Sequence, residues 1–215
     1  MDNTAALQQH ILDSGVLNTE SHRKAYYPLV FAMTNTERTD MFDDTIGYTY
    51  VDDTGERLWF FCHGTTGPGK NLKGVHKGGV ATVAIGYHAN VWYLHMHNWK
   101  YEALCQRRAI TITRHGVVMK TFSGVNCHMS NANRRREGLS DEQIQWLVER
   151  RYVGNWSHGC IVFLFADDLE HLVSIVRKGD KLHGASWYSE REERIVFAIP
   201  ISFLNVEEGH MVCDV

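Results

Sequence analysis

Between Pro28 and Met129 the chain is a succession of short runs rich in Val, Ile, Thr, Tyr, Phe and Trp, and these runs are separated by turn residues. "VDDTGERLWFFC", "GGVATVAIGYHANVWYLHMH" and "AITITRHGVVMKTF" are the clearest. Side chains that branch at Cβ or carry rings suit a pleated, half-buried surface, so this pattern commits about half of the chain to hairpins. The corners are predicted at Asp53-Thr54-Gly55, Ala89-Asn90 and His115-Gly116, whose residues tolerate the backbone angles of tight turns.

Helical spacing appears elsewhere. Leu7 and Ile11, four apart with Gly15 beyond, predict a short amphipathic helix near Thr4–Ser14 that packs against the rest. In "GLSDEQIQWLVERRYVG", Ser140 and Gln143 have capping-box spacing, and Ile144, Leu147, Val148 and Arg151 share a face. "DDLEHLVSIVRKG" predicts a helix with an Asp cap and a stop at Gly179, and "ERIVFAIPISFL" a last strand. With 215 residues, 44% of them hydrophobic, and no repeat or low-complexity linker, the expectation is one mixed α+β, β-dominated domain. Residues 1–27 form its N-terminal helical extension and 28–215 its core. The core is read as a β-sandwich or barrel with two helices, one of them inserted between the segments that carry the chemistry.

That chemistry centres on "GNWSHGCIVFLF". A thiol becomes a nucleophile when a nearby imidazole or aligned backbone N–H groups favour its thiolate and when the core does not seal it. Ser157, His158 and Gly159 precede Cys160, and "IVFLF" supplies a strand to anchor it. Gly159 permits a sharp turn that brings backbone N–H groups to a reacting carbonyl. A base is available in "GVNCHMSN": Asn126, His128 and Ser130 alternate onto one strand face, Cys127 and Met129 onto the other. If that strand neighbours the one after Cys160, His128 reaches the thiol and Cys127 points away.

Other classes are less favoured. Lys+Arg of 22 against Asp+Glu of 25 gives a net charge of −3, and Arg134-Arg135-Arg136 is the main basic run, which speaks against nucleic acid as a partner. No apolar stretch has the length of a membrane span, and the N-terminal residues carry neither a basic nor an apolar signal region, so synthesis in the cytoplasm without a signal peptide is expected. Five cysteines, without a CxxC pair, predict free thiols rather than a disulfide framework. "GTTGPGKNLKG" lacks phosphate-loop order because Asn71 follows Lys70.

"SHGCI", with a histidine on an upstream strand, resembles the catalytic motif of the L,D-transpeptidase (YkuD-type) domain. A weaker likeness to phage- and prophage-associated members with an "NWS-x-GC" signature covers "HGTTGPGKN", "KGGVATVAIGYH" and "HNWKYEALCQ". Together these span roughly Phe60 to Val176. The resemblance implies a β-rich L,D-transpeptidase-like fold and a cysteine that attacks a peptidoglycan stem-peptide carbonyl to give a thioester acyl-enzyme. It makes Cys160 the nucleophile, His128 its base and His158 a second histidine beside the pocket. Gly159 and Cys160 would supply the backbone donors, with Ser157 shaping the turn. Trp156, Asn126, Ser130, His97 and Arg134 are the candidate substrate-binding residues, and no cofactor or metal is implied. The expected partners are stem peptides and phage lysis or delivery proteins, with the site of action at the cell wall or in a virion. Ile161-Val162-Phe163 stand where the family places Arg or Asn, Met129 follows His128 where a small residue is usual, and the interval from His128 to Cys160 is long. These departures tilt the expectation toward hydrolysis.

Two alternatives stand beside this reading. One is a zinc-dependent hydrolase using His95 and His97, two apart on a strand, with His63 or Cys62 as third ligand; those histidines and Trp99 would otherwise line a substrate groove. The other is a non-catalytic wall-binding or virion protein that retains the fold. The arginine run is either a solvated loop or an attractor of stem-peptide carboxylates.

Overall fold

The computed structural model describes residues 3–35, 40–67, 81–114, 116–130, 134–153, 157, 159–184, 187–189, 194–196, 198–207 and 210–212, the last four segments as backbone. Helix α1 (Asn3–Asp13) buries Leu7 and Ile11 against Leu17, Leu29 and Phe31, so the four-residue spacing has a packing partner. Gly15, with φ of 71°, ends it and leads through a single 3-10 turn (Val16–Asn18) into the short α2 (Glu20–Arg23).

The strands follow: β1 (Leu29–Asn35), β2 (Asp44–Val51), β3 (Arg57–Thr65), β4 (Thr82–Val83), β5 (Gly86–His97), β6 (Tyr101–Gln106), β7 (Ile110–Arg114), β8 (Val117–Thr121) and β9 (Cys127–Met129). Helix α3 (Asp141–Arg150), β10 (Ile161–Phe163) and α4 (Ala166–His183) come next, and β11 (Trp187–Ser189), β12 (Arg194–Val196), β13 (Ala198–Glu207) and β14 (His210–Val212) end the described chain. The fold is mixed and β-dominated. Its main sheet has the order β1-β2-β3-β10-β9-β6-β5-β13-β14 and curls until β1 pairs in parallel with β13. A β11-β12 hairpin and a small β4-β7-β8 sheet accompany it.

The expected corner at Asp53-Thr54-Gly55 joins β2 to β3, with Gly55 at φ 87°, and Gly116 at φ 75° turns β7 into β8; His115 lies outside the described residues. Ala89-Asn90 is not a corner. Strand β5 runs through it, and the turn falls at Asn98-Trp99, both with positive φ. The β5-β13 register shifts between Ile199 and Ile201. Pro200 between them has no N–H to give the ladder, and Asn90, at φ 52°, takes up the irregularity on β5.

Helix α3 carries its full capping box: Ser140 Oγ accepts from Gln143 N, and Gln143 Oε1 from Ser140 N. Helix α4 departs from expectation at both ends. It begins after Phe165 without a side-chain cap, placing Asp167 and Asp168 inside its first turn, and it continues through Gly179 to stop at Gly184, φ 65°. Gly179 is buried within the helix and does not terminate it. The expected last strand is divided between β12 and β13, and β14 adds another.

Candidate functional site

Strands β9 and β10 are parallel neighbours, with Ile161 opposite Cys127, Val162 opposite His128 and Phe163 opposite Met129. The condition set by the sequence is met. The ladder extends one residue further at each end, as Ile161 N donates to Asn126 O at 2.9 Å and Ser130 N to Phe163 O at 2.9 Å. Alternation then divides the pair. Cys127, Met129, Ile161 and Phe163 join the main core, while Val162 joins Phe42, Leu147, Val148, Val153, Leu164 and Phe165 in a second cluster against which Cys160 packs. His128 shares the face of Val162. Of the expected anchor "IVFLF", three residues are strand, and all five side chains are fully buried.

The turn before Cys160 is built by Ser157 and Gly159. Ser157 Oγ accepts from Gly159 N at 3.2 Å and donates to Cys160 O at 3.0 Å, so one hydroxyl clamps both sides of the bend. Gly159 has φ of 113°, and a Cβ there would collide with the carbonyl oxygen of Ala81. Its N–H is therefore engaged, and the Cys160 N–H, which has no acceptor among the described residues, is the donor left beside the thiol.

Cys160 is partly accessible, and its S–H donates to Gly124 O at 3.4 Å. Burial pushes the thiol up, and an N–H from Asn126 pulls the other way. His128 is 6% exposed and sits 2.9 Å, through Nδ1, from the Met129 carbonyl oxygen. A carbonyl can only accept, so Nδ1 bears the proton and Nε2 the lone pair. Burial lowers the imidazole to about 4; the Met129 bond opposes this, and His97 adds to it. The His97 ring stacks on His128 with centroids 4.6 Å apart and planes 11° apart. At neutral pH both thiol and imidazole are uncharged, and no hydrogen bond joins them.

The other candidates divide. Asn126 is a staple, its Oδ1 accepting from Gln106 N at 2.8 Å. Ser130 Oγ donates to Leu164 O at 3.1 Å within the interior. His97 is half-buried in the β5-β6 hairpin and is held by Asn98 Nδ2 at 3.1 Å from its Nε2. Arg134 lines a cavity formed with α3. Trp156 and His158 lie outside the described residues. Among the described residues no three His, Cys, Asp or Glu side chains are placed to hold a metal ion, so the donor set of the zinc alternative is not assembled there.

Two groups carry weight that the sequence reading did not assign. Gln106 accepts from Val125 N and donates to Arg108 O and Thr121 O, tying the approach to β9; a glutamine closing the strand run "YEALCQ" was its only signal. Tyr101 donates to Met129 O at 3.5 Å and has a ring 5.5 Å from His97, and burial raises its phenol to about 12.

Comparison of the chain with protein-family models, with curated proteins and with solved structures gives no match.

Proposed function

We propose that the chain is a cysteine-dependent acyl-transfer enzyme of the L,D-transpeptidase type, acting on peptidoglycan stem peptides at the cell wall or from a virion. The observation that carries the reading is the parallel β9-β10 pair, which sets a partly accessible thiol and a histidine of fixed tautomer on one face of adjacent strands. In the proposed reaction the thiol leaves Gly124 O, passes its proton to Nε2 of His128 and attacks the peptide carbonyl. The Cys160 N–H meets the developing oxyanion, and protonated His128 delivers its proton to the departing amine. Water or a second amine then resolves the thioester.

A neutral thiol and a neutral imidazole suit a resting state in which substrate completes the proton transfer, because apo geometry at such sites is often long. Ile161, Val162 and Phe163 are fully buried, so the positions after Cys160 offer substrate no polar contact, which favours water over an amine as acceptor.

One observation supports a second reading, a non-catalytic wall-binding or virion protein: Cys160 packs on an apolar cluster and burial raises its thiol. The two separate on mass spectrometry of purified muropeptides incubated with wild-type protein and with Cys160→Ala. New cleaved or cross-linked species from the wild type alone are expected. Identical profiles would overturn the enzymatic reading.

A further inference from the structure

The insert between His128 and Cys160 carries a cavity that the thiol chemistry does not use. It is an open hollow of about 320 Å³ lined by Arg134, Trp146, Leu147, Arg150, Arg151 and Tyr152, a size that admits a small ligand or one end of a larger one. Among the described residues no carboxylate lines it. The neighbouring arginines are satisfied elsewhere, Arg135 by Glu170 at 2.7 Å and Arg136 by Asp168 at 3.0 Å. Arg134 and Arg150 have no acidic partner among the described residues, and Arg150 lies over the Trp146 ring, 5.7 Å from its centroid. Burial, and then the charge of Arg134, hold the Arg151 guanidinium below its ordinary value.

The guanidinium groups of Arg134 and Arg150 thus stand together at a concave site without an acidic partner among the described residues, an arrangement that attracts an anion. The walls are aromatic: Trp146 is 53% exposed and Tyr152 65%. Tyr152 is nevertheless fixed, because its backbone pairs with Met41 and the next residue, Val153, donates to Asp40 O. Leu147 lines the cavity and also belongs to the cluster on which Cys160 packs, so the cavity and the thiol share one support.

We propose that this cavity binds a carboxylate-bearing peptide, the guanidinium groups of Arg134 and Arg150 taking the carboxylate and the rings of Trp146 and Tyr152 covering the apolar part beside it. Planar guanidinium groups match a carboxylate in two-point geometry, and aromatic faces tolerate aliphatic neighbours. The anion site stands on the cavity alone; the choice of a peptide carboxylate over a phosphate rests on the acyl-transfer reading.

Calorimetric titration of Cys160→Ala protein tests it without turnover, using a disaccharide-tetrapeptide muropeptide, the same muropeptide with its carboxyl groups amidated, and a hexose phosphate. The free-acid muropeptide is expected to bind, and amidation is expected to weaken it by about ten-fold or more. Arg134→Gln/Arg150→Gln, changing two exposed side chains, should do the same, and the corresponding lysine pair should keep part of the affinity. Equal binding of the amidated form, indifference to the glutamine pair, absence of muropeptide binding, or tighter binding of the hexose phosphate each overturns the assignment. Muropeptide binding without product formation by the wild type would refute the enzymatic reading and leave this site standing.

Discussion

Trp99 sits at φ 60° in the β5-β6 turn with 83% of its surface exposed. A non-glycine residue in the left-handed region costs about 1 to 2 kcal/mol, and this ring gains little burial in return. Trp99→Gly is therefore expected to stabilise the protein by about 1 kcal/mol, read as a higher urea midpoint at unchanged slope. A lower midpoint would mean that the His95 ring, 6.4 Å away, holds Trp99 more firmly than its exposure implies. At this scale the turn before Cys160 was legible. Ser157 and Gly159 shape the turn because a small hydroxyl and a positive φ are local properties. The fates of Asn126 and Ser130 were not legible, since their partners Gln106 and Leu164 come from distant segments. The free N–H beside the thiol was equally hidden, because Ser157 takes the one from Gly159.

Among the elements, the segment 134–137 and helix α4 form a clamp. Asp167, in the first turn of α4, accepts from the backbone N of Arg136 at 2.9 Å and of Glu137 at 3.2 Å, while its neighbour Asp168 pairs with Arg136. A carboxylate at a helix N-terminus is doubly favoured, by the dipole and by charge-assisted bonds. Asp167→Ala should cost about 1 to 3 kcal/mol, whereas Glu170→Gln, which breaks an exposed ion pair with Arg135, should cost well under 1 kcal/mol. Chemical denaturation of the two variants separates them, and equal losses would contradict the clamp. The arginine run looked like a solvated loop because its counter-charges lie some thirty residues onward. Both internal helices were visible in the sequence, since capping and 3.6-residue spacing are local; the limits of α4 were not, because a glycine buried inside a helix looks locally like one that ends it.

For the whole molecule, burial makes stability depend on acid. His22 and His128 are both lowered to about 4, chiefly by burial, from an ordinary value of 6.5. Between those limits the unfolded chain binds protons that the folded chain refuses, so stability falls as pH drops from about 6.5 to about 4. Each histidine contributes on the order of 2 to 3 kcal/mol to that loss. Asp168 acts oppositely: burial raises it to about 6, so from an ordinary 3.8 upward the unfolded chain ionises first and stability falls as pH rises. The two histidines outweigh the one carboxyl, and urea midpoints should decline across this window in acid. A flat profile would show that the two imidazoles are not held neutral strongly enough to outweigh Asp168.

Sequence alone determined the β-rich character, the helices with their spacing, and the turn that presents Cys160, because each depends on residues within a few positions of one another. Tertiary structure decided which strands became neighbours, that β1 meets β13 as the sheet curls, and which arginines were left over once α4 had engaged the rest. Those outcomes depend on burial and pairing between segments far apart in the chain, where backbone ladders and desolvation choose among partners that local pattern leaves equivalent.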